Sequence, residues 1–370
     1  MEVTCRSFGK INLGLCIGPL RPDGFHQLCT VYQTIAMHDL IHLEIERGSG
    51  IEIRCTDRRV PTDDTNICYK IAERTMTALR TRGRLLITIE KRLPVRGGLG
   101  GASGNAVATL LALERALKKP LPRPEKLRIA AEVGSDLPLF LMGGTVLGVG
   151  HGEEVYPLPD LPCMPCALAI PEIGVSSPKA FADWDTHLAN LTERCHSEPA
   201  LAGKEPAAKD QTKADSSPHK STLGITKSLT SPTWTQPTPS DRITAFSRAL
   251  GAWLISQSKV GEASSGVFAK GGGRAGNPLL DLVRTGIEND FEQVVFPQYP
   301  ELSEVKSVLL RAGAFYASLS GSGSAIYGLF RSRAAAERAT ASLRKEGISA
   351  PVTSTLTRQQ YWQKIWDRRF

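Results

Sequence analysis

Pro94 to Leu110, PVRGGLGGASGNAVATL, restricts this chain more than any other stretch. Five glycines fall within the eight residues Gly97 to Gly104, and a helical run follows at once. Glycine has no Cβ, so the backbone can take positive φ and bring its amides close to a ligand. A helix starting there adds N–H groups without intrahelical partners and the positive end of a dipole. Together these make a cradle for a polyphosphate. Arg96 adds positive charge, and Ser103 and Asn105 add small polar side chains at the loop–helix junction. No Gly-Lys-Ser/Thr ends the loop, so it is not a Walker A segment, nor is it G-x-G-x-x-G within a βαβ unit. The plain alternative is a flexible loop that happens to precede a helix. The residues before it, LLITIEKRLP at 85–94, alternate as a strand. Strand, turn and helix therefore follow in the order a phosphate site requires.

The rest of the chain reads as mixed secondary structure. Residues 3–17 form a strand on which Lys10 and Asn12 point to one side and Ile11 and Leu13 to the other. A solvated face is the ordinary reading of such a lysine, and Phe8, of the same parity, keeps it open. Pro22-Asp23-Gly24 signals a turn, with Phe25 and His26 directly after it. Strands at 40–46 and 50–55 and a helix from Asn66 to about Arg80 precede the glycine loop. A helix to about Leu117 and another at 124–133 follow it. Asp136 then sits between Gly134-Ser135 and the apolar LPLFL, a setting in which a carboxylate needs a partner, and Lys10 is a candidate. A β-hairpin at 143–158, a strand at 166–171 and a helix opening at Ser176 or Ser177 come next. Residues 195–240 are rich in Pro, Ser, Thr and Lys and read as a solvent-exposed insertion. Beyond them lie helices at 241–256, a second glycine-rich run at 261–276, two helices around Tyr299-Pro300, a strand–turn–strand at 314–330, a helix at 332–346 and a strand at 350–357. The pattern is that of an α+β protein in two lobes, 1–160 and 161–370.

Charge and cysteine usage narrow the function. Lys and Arg outnumber Asp and Glu 45 to 37, a net charge of +8, without the basic runs and interleaved aromatics of a nucleic-acid binder. Such an excess suits an anionic small molecule. The first residues lack an apolar signal core, and the longest near-apolar run, Leu137 to Gly150, is too short to span a bilayer. The eight cysteines are scattered, and Cys163-x-x-Cys166 has no second pair at zinc-ligand spacing. A reduced, cytoplasmic protein is expected.

Four stretches, in order and spanning nearly the whole chain, resemble the GHMP kinase superfamily: GKINLGLCI with PDGFHQL, LPVRGGLGGASGNA, GSDLPLFLMGGTVLGVGHGEEV and SLSGSGSAIYGLF. The glycine loop and the SGSGS turn mark only the superfamily. KINL, DGFH and GSDLPLF are similar to its branch that phosphorylates a cytidylyl-methylerythritol in the non-mevalonate isoprenoid pathway. The resemblance implies a ribosomal protein S5 domain 2-like N-terminal lobe and a ferredoxin-like C-terminal lobe, working as a monomer or homodimer. ATP and Mg²⁺ are the implied cofactors. Lys10 and Asp136 match the catalytic pair. Asn66, Ile67 and Lys91 match positions that hold adenosine. Pro94 and the run Gly97, Gly98, Leu99, Gly100, Gly101, Ala102 and Ser103 match the triphosphate loop, with Ser103 near Mg²⁺. Asn12, Phe25, His26, Ser176 and Phe181 match the acceptor site, Phe25 and Phe181 flanking the cytosine and His26 on its edge. The Ser320 to Ser324 turn would brace the lobes. Phe25 replaces the family's common Tyr, Gly104 a frequent second Ser, and Gln27 a usual Glu; the 195–240 insertion has no family counterpart. Two further readings share these motifs: a GHMP kinase for another small alcohol, and a non-catalytic nucleotide binder. The intact DGFH argues against the former, and retention of Lys10 and Asp136 against the latter.

Overall fold

The computed structural model describes residues 2–197, 238–258 and 277–366. The 195–240 insertion, apart from its ends, and the 261–276 run lie outside these residues. In chain order the elements of the first sheet and its helices are β1 (Glu2–Leu20), β2 (His26–Glu46), β3 (Gly50–Cys55), α1 (Ile67–Ala78), β4 (Arg84–Glu90), α2 (Gly101–Leu117), α3 (Arg123–Val133), α4 (Leu137–Met142), β5 (Thr145–Gly150) and β6 (Glu154–Pro157). There follow β7 (Pro165–Ala169), α5 (Ser177–Ser197), α6 (Pro239–Ser258), α7 (Pro278–Gly286), α8 (Glu292–Gln298) and α9 (Pro300–Arg311). β8 (Tyr316–Leu319), β9 (Ile326–Leu329), α10 (Arg333–Lys345), β10 (Val352–Ser354) and α11 (Arg358–Lys364) complete the chain.

β2 is the spine of the first sheet. β1 runs antiparallel along one of its edges. On the other edge β5 pairs with Leu28–Gln33 and β4 with Leu40–Glu46. Between these two neighbours β2 has no strand partner of its own sheet. That notch is filled by β10 and the segment directly after it: Leu356 N–H donates to Thr34 O at 2.9 Å, and Met37 N–H to the Thr353 hydroxyl at 2.9 Å. The second sheet, β10-β7-β9-β8, is antiparallel throughout.

Three cores follow from the apolar faces. α2 is Ala- and Leu-rich, strong helix formers, and buries most of its length against the first sheet with α1 and α4. Ile11 and Leu13 of β1 join Tyr316 and Tyr327 of the second sheet in a core between the sheets. α8, α9 and α10 cover the outer face of the second sheet. α11, which a division at residue 160 assigns to the second lobe, instead packs in the first core, with Tyr361 buried and its hydroxyl donating to Phe140 O at 2.7 Å. The sequence reading missed α4, α7 and α11. α4 and α11 are short, at six and seven residues, and too brief for a helical period to declare itself.

Candidate active site

One cavity of about 390 Å³ opens beside the glycine loop. Asn66, Ile67, Lys91, Pro94, Gly97, Gly98, Leu99, Gly100, Gly101, Ala102 and Ser103 all line it, together with Arg59, Arg96 and Asn105. The loop's conformation depends on glycine where φ is positive. A Cβ on Gly98 (φ 74°) would stand 2.0 Å from Ser320 O, and one on Gly100 (φ 67°) would press on Lys10 and Phe140. Removing these Cβ atoms lets the loop lie between the Ser320–Ser324 turn and Lys10. Ser320 Oγ donates to Gly98 O at 3.0 Å, Ala325 N–H to Gly97 O at 3.2 Å, and Lys10 N–H to Leu99 O at 2.9 Å. α2 begins on Gly100 with no side-chain cap and no acid in its first turn. Its leading N–H groups and dipole are left for a ligand. Asn105, 3% exposed, holds a buried Oδ1 with no partner. Gly104 is set by space: a Cβ there would come within 2.8 Å of both Phe8 O and Ser7 Oγ.

The cations around this cavity differ. Lys91 Nζ donates to Asp39 Oδ2 at 2.5 Å, and Asp39 Oδ1 also accepts from Arg92 N–H and Leu93 N–H, each at 2.7 Å. Asp39 is fully buried and Lys91 nearly so. The pair ties the end of β4 to β2 just before the loop. Arg59 is paired with Asp57. Arg96 has no ion-pair partner among the described residues, and it sits at φ 62°, a left-handed conformation costly for a side chain with a Cβ.

Lys10 and Asn12 lie on the face of β1 turned towards the loop, at 4% and 1% exposure. This decides against a solvated face. Lys10 Nζ donates to Asn12 Oδ1 at 2.6 Å and stands 3.5 Å from Asp136 Oδ2. Asn12 Nδ2 donates to Thr30 Oγ1 at 2.8 Å, whose own proton goes to Gly14 O at 2.7 Å, so the amide orientation is fixed. Asp136 occupies the N-cap position of α4 without capping it. Its carboxylate, about a third exposed, faces Lys10 instead. On the other oxygen, Oδ1 accepts from the Tyr32 hydroxyl at 3.0 Å.

The turn after β1 carries Phe25, and His26 opens β2. Phe25 is 63% exposed, with its ring 5.0 Å from His151. His26 is buried, with Nδ1 3.1 Å from Gly18 O and Nε2 3.1 Å from Asp185 Oδ1. Phe181 stacks on His26 at 5.4 Å and 6°. Ser176 is exposed at the start of α5, and its neighbour Ser177 shares a 2.7 Å hydrogen bond with Ser322 of the SGSGS turn. Tyr32, Asp39 and Asp185 were not singled out from sequence, whereas Arg96 was read there as positive charge beside the loop. Tyr32, Asp39 and Asp185 acquire their neighbours only through long-range pairing, and no local motif marks them.

A glycine loop leading into an uncapped helix, a lysine–carboxylate pair against it and a bracing second sheet define a GHMP kinase. The GHMP kinases N terminal domain matches residues 66–144, and the GHMP kinases C terminal domain matches 277–349. The chain is 32% identical over 363 residues to the 4-diphosphocytidyl-2-C-methyl-D-erythritol kinase of Solibacter usitatus (strain Ellin6076), covering 98% of this chain and 91% of that one. It is 30% identical to the protein of the same name from Synechococcus elongatus (strain ATCC 33912 / PCC 7942 / FACHB-805), covering 94% of each. A crystal structure of 4-(cytidine 5'-diphospho)-2C-methyl-D-erythritol kinase superposes with a TM-score of 0.61 at 24% identity, covering 96% of this chain and 99% of that one. The chain belongs to the 4-diphosphocytidyl-2-C-methyl-D-erythritol kinase family.

Proposed function

We propose that this chain uses ATP to phosphorylate the 2-hydroxyl of 4-diphosphocytidyl-2-C-methyl-D-erythritol, in the non-mevalonate isoprenoid precursor pathway. The observation that carries the reading is the Lys10–Asp136 pair set directly against the glycine loop, with Lys10 in contact with the loop's backbone. Phosphoryl transfer is mostly positioning and charge stabilisation, so few side chains are needed. Asp136 orients the acceptor hydroxyl and takes its proton. Lys10 sets its positive charge beside that carboxylate and stabilises charge on the transferring group. Asn12, locked by Thr30, holds the acceptor beside the reacting hydroxyl. Asn66 and Ile67 seat the adenosine, Lys91 steadies the wall beside it, and Pro94 with Gly97 to Ser103 wraps the triphosphate. Phe25 and Phe181 flank the cytosine, with His26 on its edge and Ser176 at the rim; Phe181 must leave its stacking on His26, or share it, to do so.

Among the described residues no group of three or more His, Cys, Asp or Glu could hold a metal. An Mg²⁺ that arrives on the nucleotide needs only one or two protein ligands beside phosphates and water. Ser103, half-buried on the first turn of α2 and lining the cavity, offers one such ligand. The bound ion would neutralise charge on the phosphates. A reduced, cytoplasmic setting is supported by the free thiols of Cys5, Cys16, Cys29, Cys55, Cys68, Cys163 and Cys166. Among the described residues no helix is long and apolar enough to cross a membrane.

A coupled assay of ATP turnover across an acceptor panel tests the assignment. Phosphorylation of the cytidylyl-methylerythritol acceptor is expected, and transfer only to another alcohol would overturn it. Phe25→Ala should raise KM for that acceptor by about 5- to 150-fold, because base–aromatic stacking contributes about 1–3 kcal/mol; an unchanged KM would remove Phe25 from the grip. Arg96→Gly should move two quantities in opposite directions. Relief of the left-handed strain should stabilise the chain by about 1 kcal/mol, while loss of the unpaired guanidinium should raise KM for ATP about tenfold. Thermal unfolding and ATP titration read the two separately, and an unchanged ATP KM would leave Arg96 without a nucleotide role.

A further inference from the structure

Tyr32 points into the catalytic pair from β2, a strand the proposed reaction otherwise uses only through Thr30 and His26. It is 2% exposed. Its hydroxyl donates to Asp136 Oδ1 at 3.0 Å, while Lys10 Nζ stands 3.5 Å from Oδ2 and 5.5 Å from the centre of the Tyr32 ring. The space it fills is shaped by two glycines of the β5–β6 hairpin. A Cβ on Gly148 would lie 2.5 Å from Tyr32 Cε2, and one on Gly152 (φ 103°) would lie 2.5 Å from the hydroxyl itself. Burial, then the charge of Asp136, holds the phenol well above its usual range, so it remains a donor at any working pH. A core aromatic needs no hydroxyl to fill such a slot. The second glycine, which its positive φ also favours, leaves room for that hydroxyl.

The geometry points to Tyr32 as a positioning residue for phosphoryl transfer: its hydroxyl pins Oδ1 of Asp136 while Lys10 holds Oδ2, fixing the plane of the carboxylate towards the acceptor. The final torsion of an aspartate is broad and only roughly two-fold, and this side chain is a third exposed, so packing alone does not fix it. A hydrogen bond from β2 on one oxygen and an ion-pair contact from β1 on the other do. The inference rests on the assignment of Asp136 as the residue that orients the acceptor hydroxyl.

Steady-state kinetics of the full chain test it. Tyr32→Phe keeps the ring and its contact with Lys10 and removes only the bond to Asp136. It should lower kcat about 10- to 100-fold, the range for a hydrogen bond to a charged group and for lost orientation, with KM for both substrates within about twofold. In an Asp136→Asn background the same substitution should change the residual rate less than about twofold, because the two residues act as one unit. A kcat within about threefold of wild type, a loss confined to KM, or an equal loss in both backgrounds would each overturn the positioning role. Transfer by the wild type to a different alcohol would overturn the proposed acceptor instead, and the Tyr32 comparison is then made with that alcohol. No transfer to any acceptor would overturn both.

Discussion

Asp136→Asn should lower kcat by about three orders of magnitude while leaving ATP affinity and the unfolding midpoint near wild type. The amide is nearly isosteric with the carboxylate, so the start of α4 keeps its shape. Its Oδ1 can still accept from Tyr32, so no buried donor is orphaned. What disappears is the negative charge 3.5 Å from Lys10 and the capacity to take a proton. Lys10 retains Asn12 Oδ1 at 2.6 Å, which keeps it hydrogen-bonded near the loop. Asp136 does not line the nucleotide cavity, so donor binding has no reason to weaken. Single-turnover transfer and ATP titration separate the two effects. A variant that keeps more than about a tenth of wild-type kcat would show that Asp136 is not the base. A variant that loses ATP binding would show that the residue shapes the donor site.

The split between what the residues announce and what they conceal follows from contact range. The glycine loop, the Asn66 cap of α1 and the SGSGS turn are local: each is specified by consecutive residues whose φ or hydrogen bonds demand them. The alternation of Lys10 and Asn12 with Ile11 and Leu13 was equally legible, since it needs only the two-residue period of a strand. Its meaning was not legible. Parity cannot say whether a polar face meets water or a second layer, and here the face is buried against the glycine loop. Tyr32 is the sharper case. It sits among β-branched residues in a strand where any aromatic would pass as core, and 104 positions separate it from the carboxylate it binds. The glycines at 148 and 152 carried the only hint, and a glycine in a hairpin suggests a turn before it suggests room for another side chain. Lys91 was noticed because it matches an adenosine-holding position of the family, but its partner Asp39, 52 residues away, was not.

That partner supports the second large effect, on stability. Asp39→Ala should destabilise the chain by about 3–5 kcal/mol, the range for removing one member of a buried ion pair. Asp39 is fully buried and receives three donors: the Lys91 ammonium and the amides of Arg92 and Leu93. Its loss leaves an ammonium at 7% exposure with no counter-charge and two amides with no acceptor. Each orphaned buried group costs about 1–3 kcal/mol, and the charge more. The damage should reach the donor site because these residues stand between β4 and Pro94. With the exit of β4 released, the glycine loop loses its fixed start, and KM for ATP should rise about tenfold or more at a temperature where the variant remains folded. Asp39→Asn separates charge from hydrogen bonding: its Oδ1 can still accept from the two amides, so it should recover part of the stability. Urea unfolding of the three proteins provides the order wild type, Asp39→Asn, Asp39→Ala. An Asp39→Ala variant within about 1 kcal/mol of wild type would mean that Lys91 finds solvent or another acceptor, and that the loop is held by the second sheet alone through Ser320 and Ala325.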